Sequence, residues 1–149
     1  ADEISACLVG AEMCIRDRLR TADAAQVDAV IVCDPQTDVY NPNAIRSSVG
    51  CIFTVPVAVC SSTEALAWLK QQGITSYAAE LQASEWYQDV NYTTPSAIVM
   101  GTEADGLTDF WLNNADKRIK IPMRGKIDSL NVSVSTAVIT FEAMRQRGF

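Results

Sequence analysis

Two stretches in the second half of the sequence hold residue types that can do chemistry. "GTEADGL" (Gly101–Leu107) places two glycines around a carboxylate, and "PMRGKIDSLN" (Pro122–Asn131) gathers basic residues, a serine and an amide just ahead of an apolar run with helical spacing. Glycines let backbone approach a ligand closely and allow positive φ. Hydroxyls and amides at a helix start satisfy the unpaired N–H groups there and can hold a neighbouring loop. One such residue is enough for a cap, so Ser129 and Asn131 together read as doing more than capping. The chain has no histidine, which removes Ser-His-Asp and Cys-His catalysis and most zinc chemistry. What remains belongs to carboxylates, arginine, hydroxyls or a cofactor that carries the reaction itself. Taken singly, a Gly-x-Glu-x-x-Gly loop is most often a turn and a Ser/Asn-rich helix start is most often a cap.

The rest of the chain has to position those stretches. Its 149 residues, 48% hydrophobic and 20% charged, suit one folded domain over residues 1–149 with a sizeable core. The formal net charge of −6 argues against gripping nucleic acid by bulk electrostatics and leaves room for a local basic site. The five cysteines, Cys7, Cys14, Cys33, Cys51 and Cys60, include no Cys-x-x-Cys pair. They read as small buried residues in a reducing compartment. The N-terminus is acidic with a short apolar run, unlike a signal peptide. The longest apolar-rich run, Val49–Cys60, contains Thr54 and Pro56 and is too short to span a bilayer. The expectation is a cytoplasmic protein with no membrane and no metal partner.

Hydrophobic patterning predicts strands at Ile4–Gly10, Val27–Cys33, Ile74–Glu80, Ser96–Gly101 and Arg118–Pro122. A further strand over Cys51–Cys60 should be bent or pushed to a sheet edge by Pro56. Asn41–Gly50 reads as a short capped helix. Ser61–Gly73 reads as a helix with a Ser61–Glu64 capping box and Gly73 at its stop. Thr108 is the expected cap of a short helix with Asp109 in its first turn. The last helix places Val134, Ala137, Val138, Phe141 and Met144 on one face. Strands alternate with helices, so the expected fold is α/β with a mostly parallel sheet flanked by helices.

In such sheets ligands bind beyond the carboxyl ends of the strands, where the strands at 96–100 and 118–121 deliver the two stretches. With no Walker lysine-serine pattern and no Gly-x-Gly-x-x-Gly after the first strand, a nucleotide-binding domain is a weak reading. "IVMGTEADGLTDFW" together with "IPMRGKIDSLNVSVSTAVITFE" closely resembles motifs 2 and 3 of the SpoU (TrmH-like) RNA methyltransferases of the SPOUT superfamily. "DVYNPNAIRSSVGCIFTVPV" resembles the segment between that family's motifs 1 and 2. The resemblance runs from Leu19 to the C-terminus. It implies a C-terminal deep trefoil knot that binds S-adenosylmethionine, a homodimer, and methylation of ribose 2′-hydroxyls in tRNA or rRNA without a metal. A knot contravenes the usual topology rule and enters only through the resemblance.

Carried over residue by residue, the resemblance has the backbone around Thr102–Leu107 and around Ile121, Met123 and Leu130 lining the cofactor pocket, which Gly101 and Gly106 shape. Glu103 would anchor its loop and meet Asn131, and Ser129 and Asn131 would tie the two loops together beside the methyl donor. In "RTADAA", Arg20 falls at the motif 1 arginine that assists the 2′-hydroxyl. Because arginine holds its proton so strongly, hydrogen bonding and stabilisation of developing alkoxide charge suit it better than proton abstraction. Arg46, Arg124 and Lys126 are candidate phosphate contacts, and each reads equally well as a solvated surface charge.

Motif 1 has the pattern Asn-x-Gly-x-x-x-Arg-x-Ala. Arg20 and Ala22 satisfy it, but Cys14 and Arg16 stand where its asparagine and glycine fall. Residues 11–18, "AEMCIRDR", replace the expected tight bend. Two accounts stay open. The chain is a divergent or catalytically inactive member, acting as a knotted RNA-binding or dimerisation module. Alternatively, Met13–Arg18 is foreign sequence that overwrites a native motif, an account favoured by the abrupt return of the match at "LRTADAA". The chain is also short for a complete member, many of which carry an additional N-terminal RNA-binding domain.

Overall fold

The computed structural model describes residues 4–9 by their backbone, and residues 19–33, 56–83, 85–101, 106–127 and 130–148. Seven strands among these residues form one sheet: β1 (Ile4–Val9), β2 (Ala29–Cys33), β3 (Val57–Cys60), β4 (Thr75–Ala79), β5 (Glu85–Trp86), β6 (Ser96–Met100) and β7 (Lys117–Lys120). Their order is β3-β2-β1-β6-β4-β7-β5, and every neighbouring pair is parallel. The helices are α1 (Ser62–Gln71), α2 (Asp109–Asn114) and α3 (Val132–Gln146). Residues 19–24 are also helical. The expected α/β class with a parallel sheet flanked by helices is the one found. The expected helix at Asn41–Gly50 lies outside the described residues.

β2 and β6 are apolar along most of their length because both of their faces are covered. In β2, Val30 and Val32 face the layer of residues 19–24 and α3, where they join Leu19, Ala22, Ile98, Ile139 and Ala143. The alternate residues Ile31 and Cys33 join Ala65, Leu66, Leu69, Val99 and Trp111 in the layer of α1 and α2. Strand alternation thus feeds two cores from one sequence run. β3 begins directly after Pro56 and stands at the sheet edge. That is the position left to a strand entered by a residue that cannot donate a ladder hydrogen bond.

Local signals set the ends of α1. The Glu64 N–H donates to Ser61 Oγ at 3.1 Å, and the Ser61 N–H donates back to Glu64 Oε1 at 3.3 Å, which is the expected capping box. Gly73 follows the helix at φ +70°, a conformation that costs glycine least. At α2 the expectation is only partly met. Thr108 occupies the N-cap position, but its side chain makes no capping hydrogen bond. The short strand β5 and the 3₁₀ turn Tyr87–Asp89 were not anticipated from the pattern, and β7 starts one residue before the expected Arg118.

α3 corrects the sequence reading most clearly. The residues it buries are Thr136, Ile139, Thr140 and Ala143, whereas Val134 and Phe141, assigned to the core face, are 48% and 38% exposed. The physical reason lies in the threonines. Thr136 Oγ1 donates to the Val132 carbonyl at 2.8 Å, so its hydroxyl is satisfied inside the helix and can be buried at little cost. A pattern scored on apolar residues alone picks the neighbouring stripe instead.

Candidate functional site

A cavity of about 720 Å³ opens at the carboxyl ends of β4, β6 and β7, the end of a parallel sheet where ligands bind. β6 contributes Met100 and Gly101, β7 contributes Lys120 and Ile121, and the turn after β4 contributes Ala79 to Gln82. The amino end of α3 closes the far side through Asn131, Val132 and Ser135. Its lining is largely aliphatic. Leu81 and Leu130 on it remain 55% and 39% exposed, which leaves apolar surface for a ligand to cover.

The glycines have distinct duties. A Cβ on Gly101 would run into the backbone of Gly106 and Leu107, so the two ends of the loop 101–106 touch where only glycine fits. Gly106 sits at φ +66°, with nothing within 4 Å of a built Cβ, so its requirement is conformational.

Asn131 is the N-cap of α3, and its Oδ1 accepts the Ser133 N–H at 2.8 Å. It therefore does cap, and it also lines the cavity. Glu80 contributes a carboxylate whose side chain is 12% exposed, with Arg118 Nη1 at 3.5 Å from Oε1. Lys120 holds its ammonium 4.8 Å from the centre of the Trp86 ring, an arrangement that fixes a long side chain at the rim by cation–π attraction.

Of the residues singled out in the sequence, Gly101, Gly106, Leu107, Ile121, Met123, Leu130 and Asn131 all line this one cavity. Thr102, Glu103, Ser129 and Arg46 lie outside the described residues, as do Cys14 and Arg16. Arg20 is exposed on the helical residues 19–24, between the buried Leu19 and Ala22, and does not line the cavity. Arg124 and Lys126 are exposed on the connection from β7 to α3 and also stand outside the lining.

Sequence reasoning missed Ala79 to Gln82, together with Leu112 and Ser135. The strand at 74–80 was legible, but its place between β6 and β7 was not, and that place carries its exit turn to the rim. Ser135 lies one turn after Asn131, a spacing that puts both on one side of a helix start.

The 23S rRNA (guanosine-2′-O-)-methyltransferase RlmB of Xanthomonas axonopodis pv. citri is 40% identical to this chain over 132 residues, covering 87% of this chain and 52% of that protein. A crystal structure of an RNA 2′-O ribose methyltransferase superposes with a TM-score of 0.89 at 39% identity, over 99% of this chain and 58% of that one. The AdoMet-bound rRNA methyltransferase of Sinorhizobium meliloti superposes with a TM-score of 0.89 at 29% identity, over 96% of this chain and 56% of that one. The chain spans about half the length of the curated relatives it matches. Residues 17–141 match the model of the SpoU rRNA Methylase family, and the chain belongs to that family.

Proposed function

We propose that residues 1–149 form the catalytic domain of an S-adenosylmethionine-dependent methyltransferase acting on a ribose 2′-hydroxyl of rRNA or tRNA. One observation carries this reading. The loops after β6 and β7 and the amino end of α3 meet around one cavity, at positions that the resemblance to motifs 2 and 3 singles out. The cavity suits the cofactor in size, since small-molecule sites run to about 300–1,000 Å³. It also suits it in kind, because its walls are largely aliphatic with a few polar groups, Glu80, Asn131 and Ser135 among them.

Leu107, Ile121, Met123 and Leu130 would pack on the cofactor's adenosyl group, with the backbone at Thr102 to Leu107 supplying its polar contacts. S-adenosylmethionine, when bound, supplies a methyl group already activated by a positively charged sulfur. The chain's residues then position, shield and stabilise. The aliphatic walls exclude water and so strengthen the polar contacts inside. Glu103 anchors the loop after β6, and Ser129 and Asn131 hold it against the loop after β7. Arg20 donates hydrogen bonds to the 2′-oxygen and stabilises its charge as the proton leaves. Arg46, Arg124 and Lys126 contact RNA phosphates.

The deep trefoil knot is part of this proposal, supported by family membership. So is a homodimer, supported by the apolar outer stripe of α3, where Val134 and Phe141 are exposed. Arg20 does not line the cavity of its own chain, and a second protomer is the arrangement that can bring it to a substrate there. The cytoplasm is the compartment proposed. A second reading, a knotted RNA-binding or dimerisation module without catalysis, rests on Cys14 and Arg16 in place of the motif 1 asparagine and glycine.

The test is calorimetric titration with S-adenosylhomocysteine, followed by methyl incorporation into a 23S rRNA transcript. Saturable binding with methyl transfer is the expected result. Arg20→Ala should keep binding and lose transfer by about 10²–10³-fold. Binding without transfer by the unaltered chain favours the second reading, and a folded protein that does not bind overturns the cofactor site.

A further inference from the structure

Cys33 and Cys60 end adjacent parallel strands, and they are register partners at the last position of β2 and β3. In-register neighbours of a parallel pair present their side chains to the same face. Here that face is the layer of α1 and α2, with Cys33 inside its core and Cys60 packed against it. Neighbouring strands lie about 4.7–4.9 Å apart, within the Cα separation of about 4.4–6.8 Å that a disulfide spans, and drawing the Cβ atoms into its range of about 3.5–4.5 Å takes a shift of a few tenths of an ångström or more by the edge strand β3. Both residues are thiols in the structure. Cys33 is fully buried and Cys60 partly exposed. Cys60 directly precedes Ser61, the N-cap of the ten-residue helix α1.

We propose that Cys33 and Cys60 form a dithiol modification site that reacts with small-molecule disulfides and closes as a cross-strand disulfide. Cys60, the accessible member, reacts first. Its thiolate attacks one sulfur of the small disulfide, that S–S bond breaks, and one small thiol leaves. The Cys33 sulfur then attacks Cys60 Sγ, its proton passes to the departing sulfur, and the second small thiol leaves. Two protein S–H bonds and one small-molecule S–S bond become one protein S–S bond and two small-molecule S–H bonds. The protein pair loses two electrons, which reduce the small disulfide. The product closes the chain around residues 34–59, the stretch that contains Arg46, so oxidation acts on a segment with an expected RNA contact.

The experiment incubates the folded chain with oxidised glutathione, alkylates the remaining thiols with iodoacetamide on unfolding, and maps the peptides by mass spectrometry. The expected product is a peptide pair joined through Cys33 and Cys60, lighter by two hydrogens and separated again by dithiothreitol. Cys33→Ser should stop with one glutathione on Cys60, and Cys60→Ser should leave Cys33 alkylated. Three results in the unaltered chain overturn the proposal: glutathione retained on Cys60 with Cys33 alkylated, both cysteines alkylated, or either one bridged to Cys7, Cys14 or Cys51. The unaltered chain gives this answer even where a serine variant does not fold.

Discussion

The two ends of α3 are built differently. At its carboxyl end, Gln146 Nε2 donates to the Val90 carbonyl at 3.0 Å and Gln146 Oε1 accepts the Tyr92 N–H at 2.8 Å. Arg147 donates to the carbonyls of Tyr92 and Thr94 at 2.8 and 2.9 Å. The segment so held leads into β6, and it is packed as well as bonded. Tyr92 is fully buried, its hydroxyl donates to the Tyr87 carbonyl at 2.6 Å, and its ring lies 5.0 Å from that of Tyr77. At the amino end, Asn131 caps its own helix and faces a cavity beside the part-exposed Leu130. One end fixes the helix to distant chain, and the other leaves surface that a ligand can cover. A site can stay open at modest cost when the frame beneath it is held elsewhere, since binding then supplies the missing contacts.

This contrast makes variants at the two ends separable. The largest expected effect on stability is from Tyr92→Ala, which removes a buried ring and its hydrogen bond and should cost about 3–5 kcal/mol, read by urea denaturation. The folded fraction should still bind S-adenosylhomocysteine with near-normal affinity. An affinity that falls in step with stability would mean the two ends act as one unit. Gly101→Ala should lower affinity by more than its cost in stability explains. A methyl group there displaces the backbone of Gly106 and Leu107, and S-adenosylhomocysteine affinity should drop on the order of 100-fold, about 2.7 kcal/mol, in calorimetry.

Asn131→Ala removes the α3 cap and should lower stability by about 1 kcal/mol. Because Asn131 also lines the cavity, its affinity loss should exceed that of a cap variant elsewhere, such as Ser61→Ala. Equal behaviour of the two would reduce Asn131 to a cap.

The smallest effect concerns Glu142. Hydrogen bonds from Arg145, and then from Gln146, hold its carboxyl below the usual carboxylate range against the opposing effect of burial. A carboxyl lowered in the folded state stabilises fully above its unfolded value of about 4.3. That contribution fades as the pH falls through the lowered folded value. Solvent screens the pair, since the Arg145 side chain is 65% exposed. Glu142→Gln should therefore flatten the acid limb of a Tm-against-pH curve slightly. An unchanged curve would mean that the Glu142–Arg145 pair adds nothing to stability.

Much of this was readable in the residues. β-Branched runs marked the strands, Ser61 and Glu64 marked the start of α1, and glycine at 101 and 106 marked a loop that folds tightly on itself. The cavity residues recovered were those that the resemblance to motifs 2 and 3 singles out. The turn after β4 was passed over because "AELQ" has no distinctive chemistry, and its membership follows from where β4 lies. The buried face of α3 was misread because a threonine that bonds its own helix behaves as a core residue, while composition scores it as polar.

The sequence by itself determined which residues share a face of a strand and where several elements start and stop. It also marked the glycines at 101 and 106 and the amide at 131, which line the cavity. These are local matters, governed by side-chain periodicity, backbone sterics and capping. The tertiary structure alone decided that β6 stands between β1 and β4, and that β4 stands between β6 and β7. It also decided that three strand exits and a helix start enclose one volume, and that Cys33 lies opposite Cys60. Those outcomes depend on contacts between residues distant in sequence. Their energies come from burial and register across the sheet, which no single segment encodes alone.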